Sequence, residues 1–113
     1  MKIKIKNKVI SNKTSPLIIA EVSANHCGSK KLFLDHIKKA ARNGADLIKI
    51  QTYEAKDMTI KSNSKIFKIK SGLWKNKYVW DLYQKAQTPF SWHADAFRLA
   101  KKLKVILFSS PFS

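Results

Sequence analysis

Cysteine, glycine, arginine and acidic residues are all scarce in this chain, and each scarcity closes off a class of function. A single cysteine, Cys27, cannot form an internal disulfide, so a disulfide-stapled secreted scaffold is excluded and a reducing compartment is expected. Three glycines in 113 residues leave no glycine-rich loop to cradle a phosphate. No run approaches the roughly 18 apolar residues that a bilayer span requires. The opening Met1-Lys2-Ile3-Lys4-Ile5-Lys6 alternates charge with β-branched side chains, without the apolar centre and small-residue cleavage site of a signal peptide. These features together point to a cytoplasmic protein. His26, His36 and His93 stand far apart, and with one cysteine no zinc-binding spacing exists.

What is abundant is lysine. The chain carries 23 Lys+Arg against 7 Asp+Glu, a net charge of +16. Such a surplus suits an anionic partner, either nucleic acid or a phosphorylated small molecule. Only Arg42 and Arg98 are arginines, however, and planar, bidentate recognition of phosphates and bases favours arginine. The lysines are also scattered rather than gathered on one helix. The expectation is therefore solvated lysine faces and no nucleic-acid partner, with a small basic nucleic-acid-binding module as the alternative. Apolar residues make up 44% of the chain and aromatics 11%, enough for one ordinary domain with a modest core.

Residues 2–10 alternate Lys and Ile and then reach Val9-Ile10, which predicts a small hairpin turning at Asn7-Lys8. Ser11 to Pro16 is rich in turn formers. Leu17 to Val22 is a short continuous apolar run, the pattern of a strand buried on both faces. Ser29 can cap a helix whose apolar positions are Leu32, Phe33, Ile37, Ala40 and Ala41, ended by Asn43-Gly44. A second strand follows at Leu47 to Gln51, completing a βαβ unit. Residues 54–77 read as a long lysine-rich loop of the kind that is usually functional. Tyr78 to Ala86 predicts a short helix. Thr88-Pro89 predicts the capped start of another helix, with Phe90, Ala94, Phe97 and Ala100 on one side. Val105 to Phe108 is a third strand. The alternation opens either a doubly wound sheet or a (β/α)8 barrel, and three strands fall far short of eight.

In parallel α/β folds ligands bind at the carboxyl ends of the strands, and the polar residues fall there. The first strand finishes at Glu21 and Ser23, with Asn25 and His26 just beyond. The second carries Lys49 and Gln51, two apart and so on one side. The third ends in Ser109-Ser110. A carboxylate, an ammonium, an amide and two hydroxyls would line one mouth. Lys49 inside an apolar strand needs a partner, which Glu21 or an anionic substrate could supply. His26 is more simply explained as structural, Cys27 as incidental, and Trp74, Trp80 and Trp92 as packing residues.

Three segments resemble the sialic acid synthase family, in the right order and spacing: Ile18-Ile19-Ala20-Glu21-Val22-Ser23-Ala24-Asn25-His26 with Gly28-Ser29, then Gly44 to Tyr53, then Phe108-Ser109-Ser110-Pro111-Phe112. The stretches Ser71-Gly72-Leu73-Trp74, Asp81 to Ala86 and Thr88 to His93 look like the pseudaminic acid synthase branch more than the N-acetylneuraminate or legionaminate branches, which remain alternatives. The resemblance covers residues 16–113 and implies the N-terminal part of a (β/α)8 barrel, a hairpin plus about three β/α units. The division it implies is 1–15 for hairpin and turn and 16–113 for the first three strands with their helices. The later barrel strands and a small antifreeze-like domain would be absent, and the whole protein would be a homodimer.

The resemblance further implies a carbon–carbon bond-forming transferase of nonulosonic acid biosynthesis. Phosphoenolpyruvate would condense with an N-acylated amino sugar, for this branch a 2,4-diacetamido-2,4,6-trideoxy-altrose, releasing phosphate. A divalent metal, Mn or Mg, would activate the open-chain aldehyde; its histidine ligands in the family lie on later strands, beyond Ser113. Carbon 3 of phosphoenolpyruvate attacks that aldehyde and water adds to carbon 2. By position, Glu21 would hold the sugar near the aldehyde, Lys49 would contact phosphoenolpyruvate, Gln51 would position the substrates, and Ser110 would bind the carboxylate or phosphate. Asn25 and Ser109, at the same strand ends, join them as substrate-binding candidates. Family members commonly have asparagine where this chain has Cys27. The 113 residues alone are expected to be inactive and prone to aggregate; soluble turnover of phosphoenolpyruvate by the purified 113-residue chain would refute this.

Overall fold

The computed structural model describes residues 2–113; Met1, the first residue of the expected 1–15 segment, lies outside the described residues. Strands β1 (Lys2–Ile5) and β2 (Lys8–Ser11) form an antiparallel hairpin. Its turn is Lys6-Asn7, one residue earlier than Asn7-Lys8, because Ile5 pairs with Lys8 and Lys6 takes the left-handed bend at φ 52. A second sheet holds β3 (Ile19–Glu21), β4 (Leu47–Thr52) and β5 (Ile106–Pro111), all parallel and in the order β3-β4-β5. Between β3 and β4 runs α1 (Lys30–Arg42). Between β4 and β5 run α2 (Ala55–Met58), α3 (Val79–Ala86) and α4 (His93–Lys102).

Helix α1 forms where its punctuation places it. The Ser29 side chain accepts the Leu32 amide at 3.2 Å, satisfying one donor of the first turn. At the other end Gly44 turns the chain at φ 88, a conformation that costs glycine little. Lys39 and Arg42 occupy the last turn, where the helix dipole favours cations. The face carrying Phe33 and Ile37 is fully buried against Ile48 and Ile50 of β4, with Val22, Leu107, Ala96 and Ala100 completing one core. Small residues at 96 and 100 let α4 approach α1, and the Asp95 side chain closes that contact with Lys30. The Lys30 ammonium holds the Asp95 carboxyl below the usual carboxylate range.

Three further expectations change. Helix α4 buries Ala96 and Ala100 rather than a Phe90/Ala94/Phe97 side; Phe90 and Phe97 are exposed. A 3-10 turn over Phe90–Trp92 precedes α4 and shifts the helical phase, and the Thr88 hydroxyl oxygen pairs with His26 Nε2 instead of capping the helix. Strand β3 is short and not covered on both faces, with Ile19 50% exposed and Ile18, just ahead of the strand, 60%. Residues 54–77 are organised rather than open loop. They contain α2, a 3-10 turn at Lys65–Phe67 and the start of a bridge from Lys68 to Tyr78.

The hairpin is tied to the amino end of the sheet by Asp46, which accepts Lys8 Nζ at 2.6 Å and the Ile18 amide at 2.9 Å. Phe33→Ala removes the largest fully buried side chain and should lower the unfolding free energy by about 3–5 kcal/mol. Denaturant titration of the protein expressed from its complete reading frame checks this; a loss under about 1 kcal/mol would mean that α1 is not packed as described.

Candidate active site

Alternation along β4 builds the site. Ile48 and Ile50 are fully buried beneath the helices, so Leu47, Lys49 and Gln51 point to the opposite face of the sheet. Register carries the same division to both neighbours. Glu21 pairs with Lys49, Lys49 with Phe108, and Gln51 with Ser110. Glu21, Lys49, Gln51 and Ser110 therefore share one face at the carboxyl ends of the strands.

Lys49 Nζ is ion-paired with Glu21 Oε2 across the first two strands. Ser23 Oγ donates to Glu21 Oε1 at 2.7 Å, so both carboxylate oxygens are engaged and the carboxylate is fixed in rotation. The side chains are 31% exposed for Lys49 and 38% for Glu21, open enough for a ligand to reach the ammonium. Among the described residues, Gln51, Ser110 and Asn25 make no side-chain hydrogen bond. An amide and a hydroxyl thus stand beside a half-exposed cation with their bonding capacity unused, a set suited to an oxyanion.

Ser109 does not join that group. It was expected beside Ser110 because β5 was expected to end at Phe108; the strand instead continues to Pro111, and neighbours within it face opposite ways. Ser109 sits on the helix side with Ile50. Its Oγ lies 2.5 Å from Thr52 Oγ1 and donates to the Ile50 carbonyl at 3.3 Å. Thr52 Oγ1 is in turn 2.7 Å from His93 Nε2. Ser109 thus links β5 to β4 and α4. Asn25 lies beyond β3, exposed, in the wall of a hollow of about 410 Å³ with Ser23, Trp74, Lys77 and Asp81.

His26 is fully buried, in line with the structural reading. The Gly28 amide donates to its Nδ1 at 3.0 Å, which leaves the ring proton on Nε2, 3.2 Å from Thr88 Oγ1. The ring meets Phe33 and Trp92 edge-on, with centroids 5.9 and 5.2 Å apart. Burial pulls its pKa below the ordinary value, opposed by the Ala86 carbonyl and assisted by His36. Sequence reasoning could not find this arrangement, because Thr88 lies 62 positions away.

A model of the NeuB family matches residues 36–113. The chain belongs to the NeuB family. It is 47% identical over 96 residues to a pseudaminic acid synthase of Campylobacter jejuni and 45% identical over 98 residues to one of Helicobacter pylori. These alignments cover 85% and 87% of this chain but 28% and 29% of the relatives, so the chain spans under a third of their length. An N,N'-diacetyllegionaminic acid synthase of C. jejuni is 31% identical, over 85% of this chain and 29% of that protein. Among solved structures, a sialic acid synthetase of Leptospira borgpetersenii superposes with TM-score 0.78 at 24% identity, over all of this chain and 35% of that one. The spore coat polysaccharide biosynthesis protein SpsE of Bacillus subtilis superposes with TM-score 0.67 at 26% identity, over 96% and 27%. The fold is the expected one: α/β, a hairpin followed by the opening strands and helices of a (β/α)8 barrel.

The metal implied by the family resemblance does not fit these residues alone. Among the described residues no group of three or more His, Cys, Asp or Glu could hold a metal ion, and two of the histidines are committed elsewhere, His26 to Gly28 and Thr88 and His93 to Thr52.

Because the folded pKa of His26 lies below its unfolded value of about 6.5, the folded state takes up its proton later than the unfolded state. Its contribution is fully present above about pH 6.5 and is lost as the pH falls from there towards the folded value. Denaturant midpoints at about pH 7.5 and about pH 5.5 should show the decline, and His26→Gln should remove most of it; an equal slope in the variant would refute this assignment.

Proposed function

We propose that these residues form the first three strands' share of the active site of a phosphoenolpyruvate-dependent nonulosonic acid synthase, acting on a 2,4-diacetamido-2,4,6-trideoxy-altrose. The observation that carries the reading is the Lys49–Glu21 pair at the carboxyl ends of neighbouring parallel strands, with Gln51 and Ser110 one step beyond it. The 47% and 45% identities to pseudaminic acid synthases, against 31% to a legionaminic acid synthase, favour this sugar over the alternatives.

In this reading Lys49 is the cation that receives phosphoenolpyruvate. Its partner Glu21 holds it aimed at the mouth, so little reorganisation is needed when the anion arrives. The Ser110 hydroxyl donates to the carboxylate or phosphate, and the Gln51 amide orients the two substrates from the next position on β4. Glu21, anchored by Ser23, faces the sugar near its aldehyde. Carbon 3 of phosphoenolpyruvate forms the new bond to the aldehyde carbon, water adds to carbon 2, and phosphate departs. Asn25 reaches the sugar from the loop beyond β3. The whole protein would be a cytoplasmic homodimer using a divalent Mn or Mg ion held by residues outside this chain. Ser109 has a positioning role here, holding the end of β5 through Thr52.

A half-exposed ion pair contributes at most about 1 kcal/mol to stability, whereas a lost transition-state donor costs roughly 100- to 1000-fold in turnover. Lys49→Met, made in the protein expressed from its complete reading frame, should therefore keep the wild-type unfolding midpoint while phosphate release falls by that factor. Product mass should match addition of three carbons of pyruvate to the altrose substrate. Near-normal turnover in Lys49→Met, or a wild type that releases no phosphate with this sugar or its N-acetylmannosamine and legionaminate counterparts, overturns the proposal.

A further inference from the structure

The loop that follows β3, residues 23–28, holds Ser23 and Asn25 at the mouth and is too short to form an element of its own. Two consecutive residues in it, Cys27 at φ 49 and Gly28 at φ 77, occupy the left-handed region. That conformation is unfavourable for cysteine, so something outside the two residues must hold it. The Ser29 amide donates to the His26 carbonyl at 2.8 Å across the turn, and the His26 ring adds a second hold. Its Nδ1 receives the Gly28 amide, closing the turn on itself, and its Nε2–H reaches across to Thr88, between α3 and α4. Thr88 is itself buried, at 3% exposure. The ring is wedged between Phe33 of α1 and Trp92 ahead of α4, so its orientation is fixed by packing as well as by hydrogen bonds.

We infer that His26 is a positioning residue, a clasp between the β3 loop and the α3–α4 connection that sets where Ser23, and through it the Glu21 carboxylate, stands in the site. The inference rests on the synthase reading and adds a residue to it. The path is a chain of contacts: Thr88 Oγ1 to His26 Nε2, His26 Nδ1 to the Gly28 amide, the loop backbone to Ser23, and Ser23 Oγ to Glu21 Oε1. The backbones of Glu21, Lys49 and Ser110 are all held by the sheet ladder, so the clasp bears on the Ser23 hydroxyl and on the Glu21 Oε1 that it fixes. Loosening the clasp therefore acts first on the Glu21 side of the site and reaches Lys49 only through the Glu21 ion pair.

The test uses Thr88→Val, which keeps the side chain's shape and deletes the hydroxyl, with Thr88→Ser as the rescue, in the protein expressed from its complete reading frame. Expected for Thr88→Val is a roughly 10- to 100-fold loss in kcat/KM for the altrose substrate, the scale of a small misplacement of reacting groups. KM for phosphoenolpyruvate should change less than kcat/KM for the sugar, and Thr88→Ser should restore activity. In 15N spectra of the imidazole, His26 should carry its proton on Nε2 and none on Nδ1, and the Gly28 amide should exchange faster in Thr88→Val than in wild type. An active wild type whose Thr88→Val variant keeps normal sugar kinetics, or a His26 protonated on Nδ1 at neutral pH, overturns the clasp and leaves the synthase reading standing. A wild type without turnover removes the synthase reading instead. The clasp is then decided by Gly28 exchange alone: acceleration in Thr88→Val upholds it and an unchanged rate overturns it.

Discussion

Side chains on a strand alternate between two faces, and in β4 one of those faces is wholly committed to the core. Ile48 and Ile50 are sealed beneath α1 and α4. Moving the strand by one residue would expose both and drive Lys49 into an apolar interior at a cost of several kcal/mol. The hydrophobic face thus dictates the polar one. Because β3 and β5 pair with β4 in fixed parallel register, the same constraint decides that Glu21 meets Lys49 and that Ser110 meets Gln51.

The basic surplus looks different once the acidic residues are located. Glu21, Asp35, Asp46, Glu54 and Asp95 each pair with a lysine, and Asp57 caps the Glu54 amide. Three of the pairs join separate elements: Asp46 fixes the hairpin through Lys8, Asp95 links α4 to α1 through Lys30, and Glu21 holds Lys49 at the mouth. The Lys8 ammonium pulls the Asp46 carboxyl below its usual range, with the Ile18 amide adding to the effect. The few carboxylates are placed where a cation or a backbone amide needs direction.

Much of this was legible in the residues because it depends on neighbours in sequence. Ser29 caps α1 and Gly44 ends it as their chemistry demands, and β4 begins at Leu47 as its apolar run predicts. The shared face of Lys49 and Gln51 follows from a spacing of two. Where the reading erred, the deciding group was distant. Pairing with β4 carries β5 on to Pro111 and so turns Ser109 away from Ser110. Close packing on α1 selects Ala96 and Ala100 over Phe90 and Phe97 as the buried face of α4.

Sequence by itself determined the order of the strands and of the three longer helices, the hairpin ahead of them and the polar residues available at the strand ends, since periodicity and capping are local properties. The family segments around Glu21, Lys49 and Ser110 were equally plain. Only the tertiary structure decided which of those polar residues meet. It pairs Lys49 with Glu21, withdraws Ser109 to Thr52 and His93, and makes His26 the link from the β3 loop to Thr88. The physical reason is that hydrogen bonds and ion pairs act over a few ångströms in space, whatever the separation along the chain, and the fold alone sets which groups come that close.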